Sequence, residues 1–115
     1  MNKQRMERID HEIQRVLGTL ISRELKDRRL GFTTVTRVET SPDLRNARVF
    51  VSIIGDRHAA RQTMDALTHA SKFLRGELGH QIALRYVPQL MFVEDRTTER
   101  AIAVSKALRD AQGGM

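Results

Sequence analysis

Lys72 and Arg75 stand one helical turn apart, directly after Ala70-Ser71, in the run Ser71-Lys72-Phe73-Leu74-Arg75-Gly76-Glu77-Leu78-Gly79. A serine that starts a helix leaves the following amides pointing outward, and two cations beside those amides make a cradle for phosphate. That chemistry is binding, not catalysis. The chain contains no G-x-S-x-G, no Walker loop and no H-E-x-x-H, and its lack of cysteine removes thiolate nucleophiles, thiolate metal sites and disulfides. Asp43, Asp56 and Asp95 fall near strand or turn ends, where they could gather a metal, but turn and cap roles suit such positions better. His58, His69 and His80 recur every eleven residues without a thiol nearby, a poor zinc set. The expectation is a protein that is not an enzyme and uses no cofactor, no metal and no small-molecule substrate.

Charge points to the same class of partner. The 115 residues carry 20 Lys/Arg against 14 Asp/Glu, a net charge of +6. This excess favours nucleic acid or an anionic membrane surface. The first 31 residues hold eight Lys/Arg against five Asp/Glu, and residues 71–88 hold three against one, whereas 89–115 balance four against four. The excess is therefore concentrated in two places. No run approaches the ~18 apolar residues of a membrane span, and the N-terminus lacks a signal-peptide core, so a cytoplasmic protein with no membrane partner is expected.

These cations need elements to hold them. Ile9, Ile13, Val16, Leu17, Leu20 and Ile21 recur at spacings of three and four, which predicts a helix over residues 5–27. On its polar side Arg5, Arg8, Arg15, Arg23 and Lys26 fall within a sector of about 80°, with Glu12 the one acid among them. By itself such a stripe fits an ordinary solvated helix face. The β-branched run 32–40 predicts a strand, Ser41-Pro42-Asp43 a turn, and the alternating 47–54 a second strand in an antiparallel hairpin. Gly55-Asp56 opens a helical region over 57–79. At about 34 Å it is long for so small a domain, so a bend or break is expected, with Ser71 as the second start. Residues 82–93 predict a third strand, an edge or bulged one because of Pro88, which the long connection allows to pair in parallel. Residues 97–111 predict a closing helix.

The order helix–strand–strand–helix–helix–strand is that of an α+β type II KH domain, a nucleic-acid module whose backbone clamp is a G-x-x-G loop. Gly76-Glu77-Leu78-Gly79 matches that loop in letters only. A strand follows it where a helix should, Glu77 opposes phosphate, and Gly79 fits a helix C-cap. The interhelical position falls instead at Ala70-Ser71. Of the five aromatics, Phe32, Phe50, Phe73, Phe92 and Tyr86, most fall on apolar faces. Few are left for base stacking, so binding should rest on phosphates and RNA shape, with steep salt dependence.

Thr40-Ser41-Pro42-Asp43-Leu44 with Ala47–Ser52, and Phe73–Gly79 through Leu84–Leu90, resemble the bacterial ribosome-binding factor A family, and the likeness runs from about Arg5 to Asp95. The resemblance implies a KH-like domain over residues 1–95 whose G-x-x-G is replaced by an interhelical kink at an alanine, here Ala70. Residues 96–115 would add a C-terminal helix and flexible tail. It also implies binding to the free 30S ribosomal subunit and its 16S rRNA, late in assembly and near the rRNA 5′ end, with a role in growth in the cold. The surfaces expected to meet rRNA are the Arg5/Arg8/Arg15/Arg23/Lys26 stripe, Ala70 and Ser71 with Lys72 and Arg75, and Arg45 and Arg85. A monomer is expected. The competing readings are a general KH-type RNA binder, which would not discriminate among RNAs, and a protein-interaction adaptor, whose binding would survive high salt and RNase.

Overall fold

Five elements follow one another as α1 (Lys3–Arg23), β1 (Phe32–Thr40), β2 (Asn46–Ile54), α2 (Arg57–Gln81) and β3 (Gln89–Glu94). They belong to a computed structural model that describes residues 3–97 and 107–108. The helix predicted over 97–111 otherwise lies outside the described residues. β1 and β2 pair antiparallel, with Phe32 opposite Ile54 and Thr40 opposite Ala47. β3 joins the other side of β2 in parallel, with Asn46 opposite Gln89 and Val51 opposite Glu94. A parallel neighbour needs a long crossover, and α2 supplies it. This is the α+β, type II KH-like arrangement expected from the sequence, with the third strand at an edge of the sheet.

The alternation of the strands decides where the core sits. Val35, Val38, Ala47, Val49 and Val51 face the helices and pack with Ile13, Val16, Leu17, Leu20 and Ile21 of α1 and Leu67, Leu74 and Leu78 of α2. On the opposite face Glu39 pairs with Arg37 at 3.2 Å and Arg48 at 3.1 Å. The hairpin register slips at Thr36, a bulge that takes backbone carbonyls out of the ladder. Gln14 of α1 donates to two carbonyls there, Val35 O at 3.2 Å and Thr36 O at 3.4 Å. The fully buried Thr63 of α2 holds the α1–β1 loop, its hydroxyl accepting from Gly31 N at 3.0 Å and donating to Arg29 O at 3.2 Å. Among the described residues no helix is long and apolar enough to cross a membrane.

Three predicted boundaries are corrected. α1 ends at Arg23, not at residue 27. Leu25 packs back against the core, and Asp27 turns the chain by accepting from Arg29 N at 2.9 Å, so Lys26 leaves the helical stripe. α2 runs unbroken from an Asp56 cap, whose side chain accepts from Ala59 N, to Gln81, so there is no second start at Ser71. The reason is phase. Ala60, Thr63, Leu67, Ala70, Leu74 and Leu78 keep spacings of three and four straight through Ala70-Ser71, so one continuous face is buried. Finally, the third strand begins at Gln89, not at residue 82. Residues 82–88 are a loop, and Pro88 is fully buried just ahead of the ladder it cannot join. Ile82, Leu84 and Val87 still pack against the core from that loop, which is why the stretch reads as a strand.

Candidate nucleic-acid interface

Two adjoining recesses lie between the second half of α2 and residues 82–90. One, of about 240 Å³, is lined by Ser71, Lys72, Arg75, Gln89 and Leu90. The other, of about 620 Å³, shares Lys72 and Arg75 and adds Gly76, Gly79, His80, Arg85, Tyr86 and Val87. Together they form one groove, and among the described residues none of those lining it is acidic. Glu77, the acid nearest in sequence, stands 3.9 Å from His80. An acid-free groove lined by three fixed cations attracts a polyanion.

The side chains that build the groove are positioned locally. Lys72 and Arg85 are exposed, whereas Arg75 is half-buried and already engaged. Its Nε and Nη2 donate to Val87 O at 3.1 and 2.8 Å, which staples the 82–88 loop to α2. Gln89 N donates to Arg45 O at 2.8 Å and ties the other end of the loop to the β1–β2 turn. In that turn Leu44 takes the left-handed conformation (φ 60°), and Ser41 and Asp43 hold it: Leu44 N donates to Ser41 O at 2.9 Å and Arg45 N to Asp43 Oδ1 at 3.1 Å. Arg45 and Arg85 then converge on Tyr86, their guanidinium carbons 5.1 and 5.6 Å from the ring centre.

The expected site is therefore partly gathered and partly dispersed. Ser71, Lys72, Arg75 and Arg85 share the groove, Arg45 reaches its rim through Tyr86, and Ala70 is half-buried against the core. Ser71 caps nothing, and its neighbouring amides are spent inside α2, so no freed helix N-terminus exists there. α1 runs antiparallel to β1: Asp10 Oδ1 accepts from Thr40 N at 3.1 Å and Thr40 Oγ1 at 2.7 Å, near the β1–β2 turn. Arg5 and Arg8 lie toward that end of the sheet. Arg23, about 27 Å further along the helix, and Lys26 lie toward the other. Arg15 between them pairs with Glu12 at 2.6 Å.

Sequence reasoning missed the aromatic surface. Phe32, Phe73 and Tyr86 are exposed, and Phe50 lies half-buried under Arg37, 4.1 Å from its ring centre. Strand alternation puts Tyr86 on a core face. Once 82–88 is a loop, that period-two rule no longer applies to it.

The two glycines of Gly76-Glu77-Leu78-Gly79 do different work, and neither ends a helix. A Cβ at Gly76 would meet nothing within 4 Å, whereas a Cβ at Gly79 would stand 2.9 Å from Val87 Cγ2. Gly79 is the point of close approach for the 82–88 loop. Gly76→Ala is expected to stabilise the protein by up to about 1 kcal/mol through helix propensity. Gly79→Ala is expected to destabilise it by about 1 kcal/mol, because displacing Val87 costs roughly 1–3 kcal/mol against the same gain. Urea denaturation of the two variants should show midpoints moving in opposite directions.

The three aspartates hold turns and a cap. Asp43 accepts from Ser41 Oγ at 2.6 Å, and Asp56 caps α2. Asp95 accepts from Thr97 Oγ1 at 2.6 Å, Thr97 N at 2.9 Å and, across the sheet, Thr36 Oγ1 at 2.8 Å. These donors, the Thr97 hydroxyl foremost, lower the Asp95 carboxyl to about 2. The Arg29 guanidinium does the same for Asp27. A lowered folded-state pKa contributes stability that is present above the ordinary carboxylate pKa and is lost as pH falls through the folded value. The difference in denaturation midpoint between the parent and Asp95→Ala should therefore be full at pH 5 and shrink between about pH 4 and pH 2.

Residues 5–108 match the family model described as ribosome-binding factor A. The ribosome-binding factor A of Lachnoclostridium phytofermentans is 42% identical over 93% of this chain and 79% of its own length. A solution structure of a ribosome-binding factor A homologue from Thermotoga maritima superposes with a TM-score of 0.73 at 34% identity, covering 84% of this chain and 93% of that one. A homology model of the Thermus thermophilus ribosome-binding factor A, fitted into the cryo-EM map of a 30S complex of that factor, superposes at 0.63 with 29% identity, covering 75% and 90%.

Proposed function

The chain belongs to the ribosome-binding factor A family, and on that premise we propose that it binds the free 30S ribosomal subunit in the cytoplasm and assists late maturation of 16S rRNA, including its 5′ end. The observation that carries this reading is the acid-free groove of Lys72, Arg75 and Arg85 between α2 and the 82–90 segment. Residues 1–95 supply the binding domain, with 96–115 as its C-terminal extension. The Thermus relative fitted into a 30S complex supports the choice of partner. Arg45, Arg5 and Arg8 extend the contact toward the β1–β2 turn, while Arg15, Arg23 and Lys26 form a separate, weaker one.

The action is non-catalytic. Binding energy holds an immature rRNA conformation until nucleases and other factors act, and growth in the cold depends on it because misfolded RNA is slowest to escape there. A monomer suffices. Co-sedimentation with separated 30S subunits, 50S subunits and 70S ribosomes at low and moderate salt tests the reading. Binding confined to free 30S supports it. Equal binding to all three would replace it with a general RNA binder, and salt-resistant, RNase-insensitive binding would replace it with an adaptor.

A further inference from the structure

We propose that Tyr86, held by Arg45 and Arg85, is a stacking platform for an unpaired RNA base whose flanking phosphates lie along Lys72 and Arg75. The inference rests on the RNA-binding function proposed above and gives that groove a ligand: single-stranded rather than duplex RNA.

Three observations carry it. First, Tyr86 is 47% exposed although its loop is otherwise anchored, with Pro88 buried, Val87 O stapled by Arg75 and Gln89 N bound to Arg45 O. An aromatic ring presented to solvent from a fixed backbone is pre-organised, so binding to it costs little ordering. Second, two guanidiniums come from different elements, one in the β1–β2 turn and one beside the tyrosine, and both lie within cation–π range of the ring. Such arginines stack on bases as readily as on the tyrosine, and their outer N–H groups meet phosphate. Third, Tyr86 lines the same recess as Lys72, Arg75 and His80, with Gly76 leaving open space above α2. A cationic groove with an aromatic on its wall is the general design of single-strand binding sites. Duplex RNA, whose bases are already stacked, could use the cations but not the ring.

The chain offers a clean reporter, because Tyr86 is its one tyrosine and it has no tryptophan. The ring resonances of Tyr86 would be followed by NMR during titration with a short oligoadenylate, an abasic oligoribonucleotide of equal length and an RNA duplex. Oligoadenylate is expected to shift the ring protons upfield, whereas the abasic oligomer and the duplex should leave them in place. Tyr86→Ala should weaken oligoadenylate binding roughly tenfold or more, and Tyr86→Phe should restore most of it. Equal affinity for the base-containing and abasic oligomers, or no loss in Tyr86→Ala with its circular dichroism unchanged, would overturn the proposal. Failure of the parent protein to sediment with 30S subunits would sink the assembly reading alone, because the oligonucleotide titration reports stacking independently.

Discussion

Lys72→Glu combined with Arg85→Glu is expected to weaken binding to free 30S subunits by about 100-fold or more while leaving the melting temperature unchanged. Each cation is exposed at the groove, so reversing it removes a charge-assisted contact of ~1.5–3 kcal/mol and adds repulsion. Two such losses, about 3 kcal/mol at the low end, already exceed a hundredfold. Arg75 is excluded from the pair for a structural reason. Its two hydrogen bonds to Val87 O hold the 82–88 loop, so Arg75→Glu would change the shape of the groove together with its charge. The salt dependence provides the second reading. Removing one cation from a phosphate should flatten the slope of log affinity against log salt by about one, so the double variant should be less salt-sensitive than its parent. Arg23→Glu with Lys26→Glu makes the same charge change at the far end of α1. There the loss should stay under about tenfold, a contrast that net charge alone cannot produce.

Much of the scaffold around this groove is legible in the sequence because each element is specified twice over. The run 32–40 is rich in β-branched residues, six of its nine, and is followed by Ser41-Pro42-Asp43, so composition and turn chemistry agree on where the first strand ends. Asp56 marks the start of α2 by its cap, and the length of that helix allows the parallel addition of β3. The misreadings share a different physical origin. Glu24, Leu25 and Lys26 are good helix formers, yet the chain leaves the helix there, where Leu25 packs back on the core, Asp27 turns the chain, and Thr63, far along the sequence on α2, holds the loop at Arg29 and Gly31. Ile82, Leu84 and Val87 are apolar because they seal the core from a loop, and local pattern cannot separate that from a strand. The roles of Arg75 and Tyr86 escape sequence reasoning for the same reason. Whether an arginine meets phosphate or a carbonyl, and whether a tyrosine faces in or out, depends on where residues 82–88 return.

Leu74→Ala should have the opposite signature to the charge reversal, although its position lies between Lys72 and Arg75. Leu74 is fully buried where α2 meets the sheet, so its truncation removes transfer energy and leaves a cavity, at a cost of about 2–5 kcal/mol. A small domain has roughly 5–15 kcal/mol in total, so the urea midpoint should fall by a large fraction and the protein should melt well below its parent. Below that new midpoint the folded fraction still presents Lys72, Arg85 and Tyr86, and affinity for the 30S subunit measured there should change by less than about threefold. Near the midpoint, binding should disappear together with the fold and return when saturating subunits draw the equilibrium back, because a ligand that binds only the native state stabilises it by mass action. A Leu74→Ala protein that melts normally yet binds poorly would mean that the side chain at position 74 reaches the RNA, and that α2 is rotated from the phase set by Ala60, Thr63, Leu67, Ala70 and Leu78. A protein that melts early yet binds normally when folded would establish that neighbouring residues on α2 divide the work, with Leu74 carrying stability and Lys72 carrying recognition.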